Sequence, residues 1–543
     1  MKLGRKPLVL ALLSLLTGSM RANDLAVQHV TLREGVTGKH GMVVFDLRWD
    51  NSWRNDLSGA GKEAPFNYDA AWIFVKFSTD SGTTWRHATL ADESASHGVL
   101  NDNGVPATIK AVPQGQGVFI FRKLNGTGTN NWQDVQLQWD YEEDGVPALT
   151  GTVIAKVIAL EMVFIPSGDF LVGDRHPDQV NGQFEAGDSG KPFEVEGEDE
   201  ITLGGGKRRS LGNNNAKHMT HKDDFNNHDK ETLPAEFPKG YSAFYIMKHE
   251  ITQGQYADFL NLLTRTQEDR RNIEDERDYT AFRGTISDED EVFSAAAPDR
   301  ACNFLAWQDG AAYADWAGLR PMTELEYEKA GRGDQSAVSG EFAWGNTDII
   351  LQTGHVGSDG SGSETASPAG ANANFDSGIN GPARAGIFAS TSGGNRAQAG
   401  ASFYGVMELS GNLVERVVSL GNKTGRSFTG THGDGELTTV PGFEGNATNK
   451  DWPGSNVQSS LGVTGARGSG LRGGGWKDAD TLLRLADRKS AAAADDQRAN
   501  HYGFRCVRTA PWGEVVLPRV GQYNTQKTAH KWPGLRMKFL EIR

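Results

Sequence analysis

The chain has 543 residues, 37% of them apolar and 23% charged, a composition that supports a sizeable buried core. Its 67 glycines against 19 prolines call for many turns and few long helices, which excludes a helical bundle, a coiled coil and a collagen-like fibre. Basic side chains number 55 and acidic ones 69, a net charge of −14, so a general nucleic-acid binder with a basic face is excluded too.

At the start, Lys2, Arg5 and Lys6 precede the apolar run Leu8–Leu16, and small and polar residues follow up to Ala22. That order predicts a secretory signal over 1–22, and the run is too short to span a bilayer. No later segment reaches the apolar length of a transmembrane helix. The expected destination is outside the cytoplasm: periplasmic, cell surface or secreted.

Residues 23–161 read as an all-β sandwich of immunoglobulin or fibronectin type. Val43, Phe45, Leu47 and Trp49 alternate with Asp46 and Arg48, the pattern of a half-buried strand. Ala71–Phe77 predicts a second strand, and Asp80-Ser81-Gly82 turns it back towards Thr83–Arg86 as a hairpin. Val118–Phe121, Val135–Trp139 and Val153–Ala159 supply more strands, and nothing in this part carries a catalytic constellation. Residues 178–235 are polar and predict a long insertion, whose His218, His221 and His228 read as solvated rather than as a zinc site. Gln267–Asp278 reads as a charged, solvated excursion. Helices are expected after Thr252, with Gln255 completing a capping box, over about Gln308–Ala317, and after Thr323 with Glu326. A tail over 511–543 holds Trp512 and Trp532, too little for a core of its own.

Seven segments between 162 and 508 together carry a resemblance. They are Met162–Phe170, Phe244–Thr252, Trp316–Glu328, Phe342–Asn346 with Tyr404-Gly405-Val406, Gly411-Asn412, Arg472–Trp476 and Gly503–Cys506. In this order they resemble the formylglycine-generating enzyme (sulfatase-modifying factor) family. The resemblance implies an α+β, C-type-lectin-like fold with little regular secondary structure over 162–510.

Enzymes of that family bind copper(I) through a cysteine pair just after the Gly-Gly-Ser-Trp strand and oxidise a substrate cysteine with oxygen. Soft thiolates suit copper(I). Here Lys477–Arg488 contains no cysteine, and Cys302 and Cys506 are the only two in the chain, so copper is not expected. The two form either one disulfide, closing a loop of about 200 residues worth about 4–5 kcal/mol, or two buried thiols. The family's calcium loop corresponds to Glu408–Glu415, where Glu408 and Glu415 would give carboxylate oxygens and Gly411 and Leu413 backbone carbonyls. A second family site corresponds to Asn374. The family's aromatic pair around the last glutamate is replaced by Val414 and Arg416.

The expected role is a protein- or glycan-binding or assembly module that does not catalyse cysteine oxidation. Other family members display such ligand-binding surfaces, varied just before Gly-Phe-Arg, where this chain has Ala491–Tyr502. The alternative is a Cys-free oxidoreductase whose candidate pocket is lined by Trp476, Asp478, Asp480 and Arg484. The sequence leaves the oligomeric state open.

Overall fold

The computed structural model describes residues 25–35, 39–56, 65–176, 180–213, 218–390, 395–456 and 460–510. The expected signal over 1–22 and the tail 511–543 lie outside the described residues. The chain is rich in short strands and poor in helix, as its glycine content requires. Among the described residues no helix is long and apolar enough to cross a membrane.

Nine strands come first: β1 (Ala26–Glu34), β2 (Gly41–Arg54), β3 (Asp69–Ser78), β4 (Arg86–His87), β5 (Gly98–Asn101), β6 (Ala107–Ala111), β7 (Val118–Arg122), β8 (Gly126–Trp139) and β9 (Ile154–Ile165). One sheet has the order β1-β2-β8-β5. A second, eight-stranded sheet runs Arg320–Pro321, Cys506–Thr509, Phe244–Met247, β9, β3, β7, β6, with β4 paired to β3. The alternating residues of β2 (Val43, Phe45, Leu47, Trp49) and of β8 (Trp132, Val135, Leu137, Trp139) face Ala71, Ile73, Val75 and Phe77 of β3 in one apolar layer. The opposite face of β3 places Ala70, Trp72 and Phe74 in the larger core, which the rest of the chain fills. Both faces of β3 are therefore covered and all ten of its residues are buried, so it reads as an unbroken apolar run. Lys76, the one cation in that run, donates to Gly435 O at 2.6 Å, and burial lowers its pKa to about 7.

β9 joins the two halves. Ile154 to Val163 pair with Ser78 to Asp69, and Met162 to Ile165 pair with Met247 to Phe244. The line at 161/162 thus falls inside a strand, and the sheet crosses it without a break.

Segment 178–235 is built rather than bare: Phe184–Ala186, Leu211–Asn213, Ile201–Gly204 and Lys230–Leu233 form a four-stranded sheet with buried Phe184, Leu203, Leu211 and Leu233. His218, His221 and His228 are exposed. The charged stretch after Thr264 differs from a solvated face only in part. It contains helix α2 (Arg265–Arg271), where Arg271 is buried against Asp309 at 2.9 Å and Asn446 at 2.9 Å. Only Arg271 and Glu268 face inward; Arg265, Asp269, Arg270, Asp275, Arg277 and Asp278 are exposed, as a solvated stretch requires.

The other helices among the described residues are α1 (Gln253–Leu260), α3 (Trp307–Trp316), α4 (Glu324–Arg332) and the single turn α5 (Lys423–Arg426). Both expected capping boxes form. Gln255 N–H donates to Thr252 Oγ1 and Thr252 N–H to Gln255 Oε1, and Thr323 and Glu326 repeat the pattern. Glu326 also accepts both arms of Arg320, at 2.6 and 2.9 Å.

No disulfide forms: Cys302 and Cys506 are buried free thiols. Cys302 N–H donates to Ile251 O, whereas Cys506 N–H faces Met247 Sδ and its residue pairs with Pro321, so the two thiols have different backbone neighbours. Burial raises both thiols well above the usual range, so each behaves as a small apolar side chain.

Candidate functional site: an acidic octet under the strand–helix junction

Residues 408–415 curl tightly, with left-handed backbone at Glu408 (φ +54°), Gly411 (φ +93°) and Asn412 (φ +65°). A Cβ at Gly411 would stand 2.7 Å from Asn374 O, so only glycine fits there. Asn412 ties the curl together. Its N–H donates to Asn374 O (2.8 Å) and its C=O accepts from Trp476 N–H (2.7 Å). Its Oδ1 accepts from Ala383 N–H (2.7 Å), and its Nδ2 donates to Glu250 Oε2 (2.5 Å).

Three buried carboxylates gather around this curl. Glu408 accepts from Gly386 N–H at 2.9 Å and faces His249 Nδ1 at 3.2 Å. Glu415 takes Arg505 in three contacts of 2.6–3.0 Å. Glu250 accepts from Leu413 N–H at 2.9 Å. Arg505 spends its remaining donors on the carbonyls of Met247, Lys248 and Met407. Burial raises the Glu250 pKa well above the carboxylate range; Glu415 and Glu408 add to the rise and Arg505 opposes it. Burial raises Glu415 too, against the pull of Arg505.

The calcium expectation can be weighed against this set. One guanidinium faces three carboxylates, and Asn374 Oδ1 is buried without a hydrogen-bond partner. Hard oxygens in excess of their counter-charge fit an oxygen-seeking divalent cation. Glu408, Asn374 and the carbonyls of Gly411 and Leu413 are the residues suited to it. Glu415 would have to share its oxygens with Arg505.

Glu250, His249 and Arg505 are site residues that spacing does not reveal. Each sits in a segment that carries the resemblance, but its partner lies 90 to 163 positions away. The available signal is a single carboxylate after Lys248 and His249, at the join between an apolar strand and the capping box of α1.

A second cluster, His355, Asp359 and Glu364, holds its ligand atoms within 4.8 Å of one another. Arg283 already binds Asp359 (2.7 Å) and Glu364 (3.0 Å), and Arg300 binds Asp359 (2.6 Å). Two guanidiniums match the two carboxylates, which leaves no charge deficit for a cation.

The four residues of the candidate pocket divide. Trp476 is buried, stacked 5.4 Å from Phe282, with its Nε1–H donating to Asn500 O. Asp478 caps the same turn by accepting from Gly475 N–H at 2.9 Å, and burial raises its pKa. Asp480 opens the short 3-10 turn Asp480–Leu483, while the Arg484 guanidinium lies against Gly340. Trp476 and Asp478 thus shape one turn, joined to the Asn374 loop through Ser377 N–H and Asp376 N–H.

The segment Ala491–Tyr502 is clamped. Arg416, in place of the family's aromatic residue, donates to Leu305 O, Asp495 O and Gln497 O and stacks 4.7 Å over Tyr502. Arg498 binds Asp309 at 2.8 and 2.9 Å. His501 stacks on Tyr502, its Nδ1 is buried without a partner, and burial lowers its pKa to about 3. A histidine depressed in the fold stabilises fully above its unfolded value near 6.5, and that contribution is lost as pH falls towards 3. His501→Phe is therefore expected to lose about 2–3 kcal/mol less than the unmodified chain between pH 6.5 and 4 in urea titrations. Parallel losses would show that His501 already carries its proton in the fold.

The fold and octet define a class of protein, and comparison supplies its family. Residues 155–510 match the sulfatase-modifying factor enzyme 1-like domain, and the chain belongs to that family. Among solved structures it is similar to Treponema denticola variable protein 1. Identity is 13%, coverage is 65% of this chain and 96% of that one, and the TM-score is 0.30. Comparison with curated proteins gives no match.

Proposed function

We propose that this protein is an exported binding or assembly module that presents a loop-built face to a protein or glycan. The N-terminal layer is then an immunoglobulin- or fibronectin-like sandwich, and the family domain a C-type-lectin-like display scaffold. One observation carries the reading. The turn after Trp476, where the family's enzymes place two thiols, holds Asp478 and Asp480, and both thiols of this chain are buried behind it in the core. Without thiolates at that turn the site has no soft donors for copper(I). The purified protein is expected to consume no oxygen with a cysteine-containing peptide after copper loading. Turnover in that assay would replace this reading with the alternative, a Cys-free oxidoreductase working at Trp476, Asp478, Asp480 and Arg484.

Calcium belongs to the same reading, held by Glu408, Asn374 and the Gly411 and Leu413 carbonyls, with Glu415 alongside Arg505. Bound there, it supplies counter-charge that fixes the loops of the display face. A ligand at a hundredfold excess over its Kd adds about 2.7 kcal/mol to stability, so chelation is expected to lower the melting midpoint by several degrees. An unchanged midpoint with and without chelator removes calcium from the assignment.

A further inference from the structure

We propose that Glu250 is the positioning residue of this cation octet, holding the curl that presents the Gly411 and Leu413 carbonyls. The inference rests on the calcium reading above. Glu250 lies at the junction between the strand Phe244–Met247 and α1, outside the octet. Both of its oxygens are nevertheless spent on the octet: Oε1 on Leu413 N–H and Oε2 on Asn412 Nδ2. The peptide between Asn412 and Leu413 is therefore held at both ends, its N–H by Glu250 and its C=O by Trp476 N–H.

Planarity extends the effect to the neighbouring peptides. In a trans peptide the C=O points opposite to the N–H. Asn412 N–H is bound to Asn374 O, which aims the Gly411 carbonyl away from Asn374 O. Val414 N–H is bound to His501 O, which aims the Leu413 carbonyl away from His501 O. Glu250 fixes the peptide that links these two.

Among the described residues, no guanidinium, ammonium or imidazole donates to Glu250, because Arg505 is used up by Glu415 and three carbonyls. The two Glu250 oxygens are therefore held by backbone and amide donors of the octet alone. The adjacent His249 meets Glu408, so one short run serves both the backbone and the carboxylate ligand.

Calorimetric titration of the full chain with calcium tests this. Glu250→Gln keeps the size but turns one of the two accepting oxygens into a donor, so either Leu413 N–H or Asn412 Nδ2 loses its acceptor, and its calcium Kd is expected to rise at least tenfold. Its calcium-induced rise in melting midpoint is expected to fall below half. Glu326→Gln, which loosens a buried ion pair elsewhere, should lower the baseline midpoint and keep the full calcium-induced rise. Hydrogen exchange on the unmodified chain gives a reading that needs no variant: the peptide over 408–415 should exchange more slowly with calcium. A Glu250→Gln Kd within twofold of the unmodified chain overturns the proposal while leaving the calcium reading standing. So does exchange over 408–415 that ignores bound calcium. An unmodified chain that takes up no calcium overturns both.

Discussion

Glu324→Ala is expected to cost about 3–5 kcal/mol, the range for removing one partner of a buried ion network. Glu324 opens α4 and is fully buried. It accepts from Arg488 at 2.8 and 3.1 Å, from Arg472 at 3.3 Å and from Leu420 N–H at 2.9 Å. The guanidiniums have other partners, Asp223 for Arg488 and Glu328 for Arg472. Removing Glu324 leaves two carboxylates facing two arginines, yet takes away three donors' acceptor inside the core. Against a total stability of 5–15 kcal/mol that is a large fraction, and urea unfolding at pH 7 measures it. Glu324→Leu combined with Arg488→Met should deepen the loss, since removing Arg488 also leaves the buried Asp223 carboxylate without its guanidinium. A single-variant loss under about 1 kcal/mol would mean that water reaches the network and screens it.

The same network explains why the run from Trp316 to Glu328 is so specific a signature. Arg320 and Glu326 clamp each other, Glu324 gathers Arg472 and Arg488, and Glu328 meets Arg472 at 2.7 Å and Gly173 N–H at 2.7 Å. Every polar residue of the run is a fastener.

Elements whose partners lie within one turn were legible in the sequence. The capping boxes at Thr252 and Thr323 need only residues three apart, and both form. The strand Ala71–Phe77 was legible from its composition, although its double coverage was not, because a buried strand and a half-buried one differ only in what packs behind them. The three- and four-residue strands of 178–235 are too short to show a period, and contacts such as Asn213 Nδ2 to Phe225 O leave no trace in the pattern. The octet's carboxylates could be placed through the family resemblance. Glu250 could not, since its tie to Leu413 spans 163 positions. The cysteines show the limit of counting: an even number permits a bridge, but whether two thiols meet depends on packing, and here both stay free in the core.

Deleting residues 25–153 is expected to abolish cooperative folding of the remainder, although the matched family region begins at 155. The deletion removes β3, which pairs with ten consecutive residues of β9, and leaves that strand as a bare edge. It also strips cover from the larger core. Phe119 stacks 3.7 Å from Tyr245, Tyr68 4.6 Å from Phe164, and Phe74 meets Trp316 edge-on at 5.1 Å. Trp72 donates from Nε1 to Ala317 O at 2.8 Å and stacks under Arg508. Each fully buried aromatic contributes roughly 1.5–3 kcal/mol, so four together rival the whole stability of a domain. Arg508 would also lose Gln116 Oε1 at 2.7 Å, leaving a buried guanidinium with carbonyl partners alone. Expressed by itself, residues 154–510 should bind a hydrophobic dye and show no near-ultraviolet circular dichroism or urea transition. A soluble fragment with a sharp transition near that of the full chain would show the N-terminal layer to be an appendage. As built, it forms one wall of the family domain's core, so a partner docking on it presses on the same sheet that carries the strand leading into Glu250.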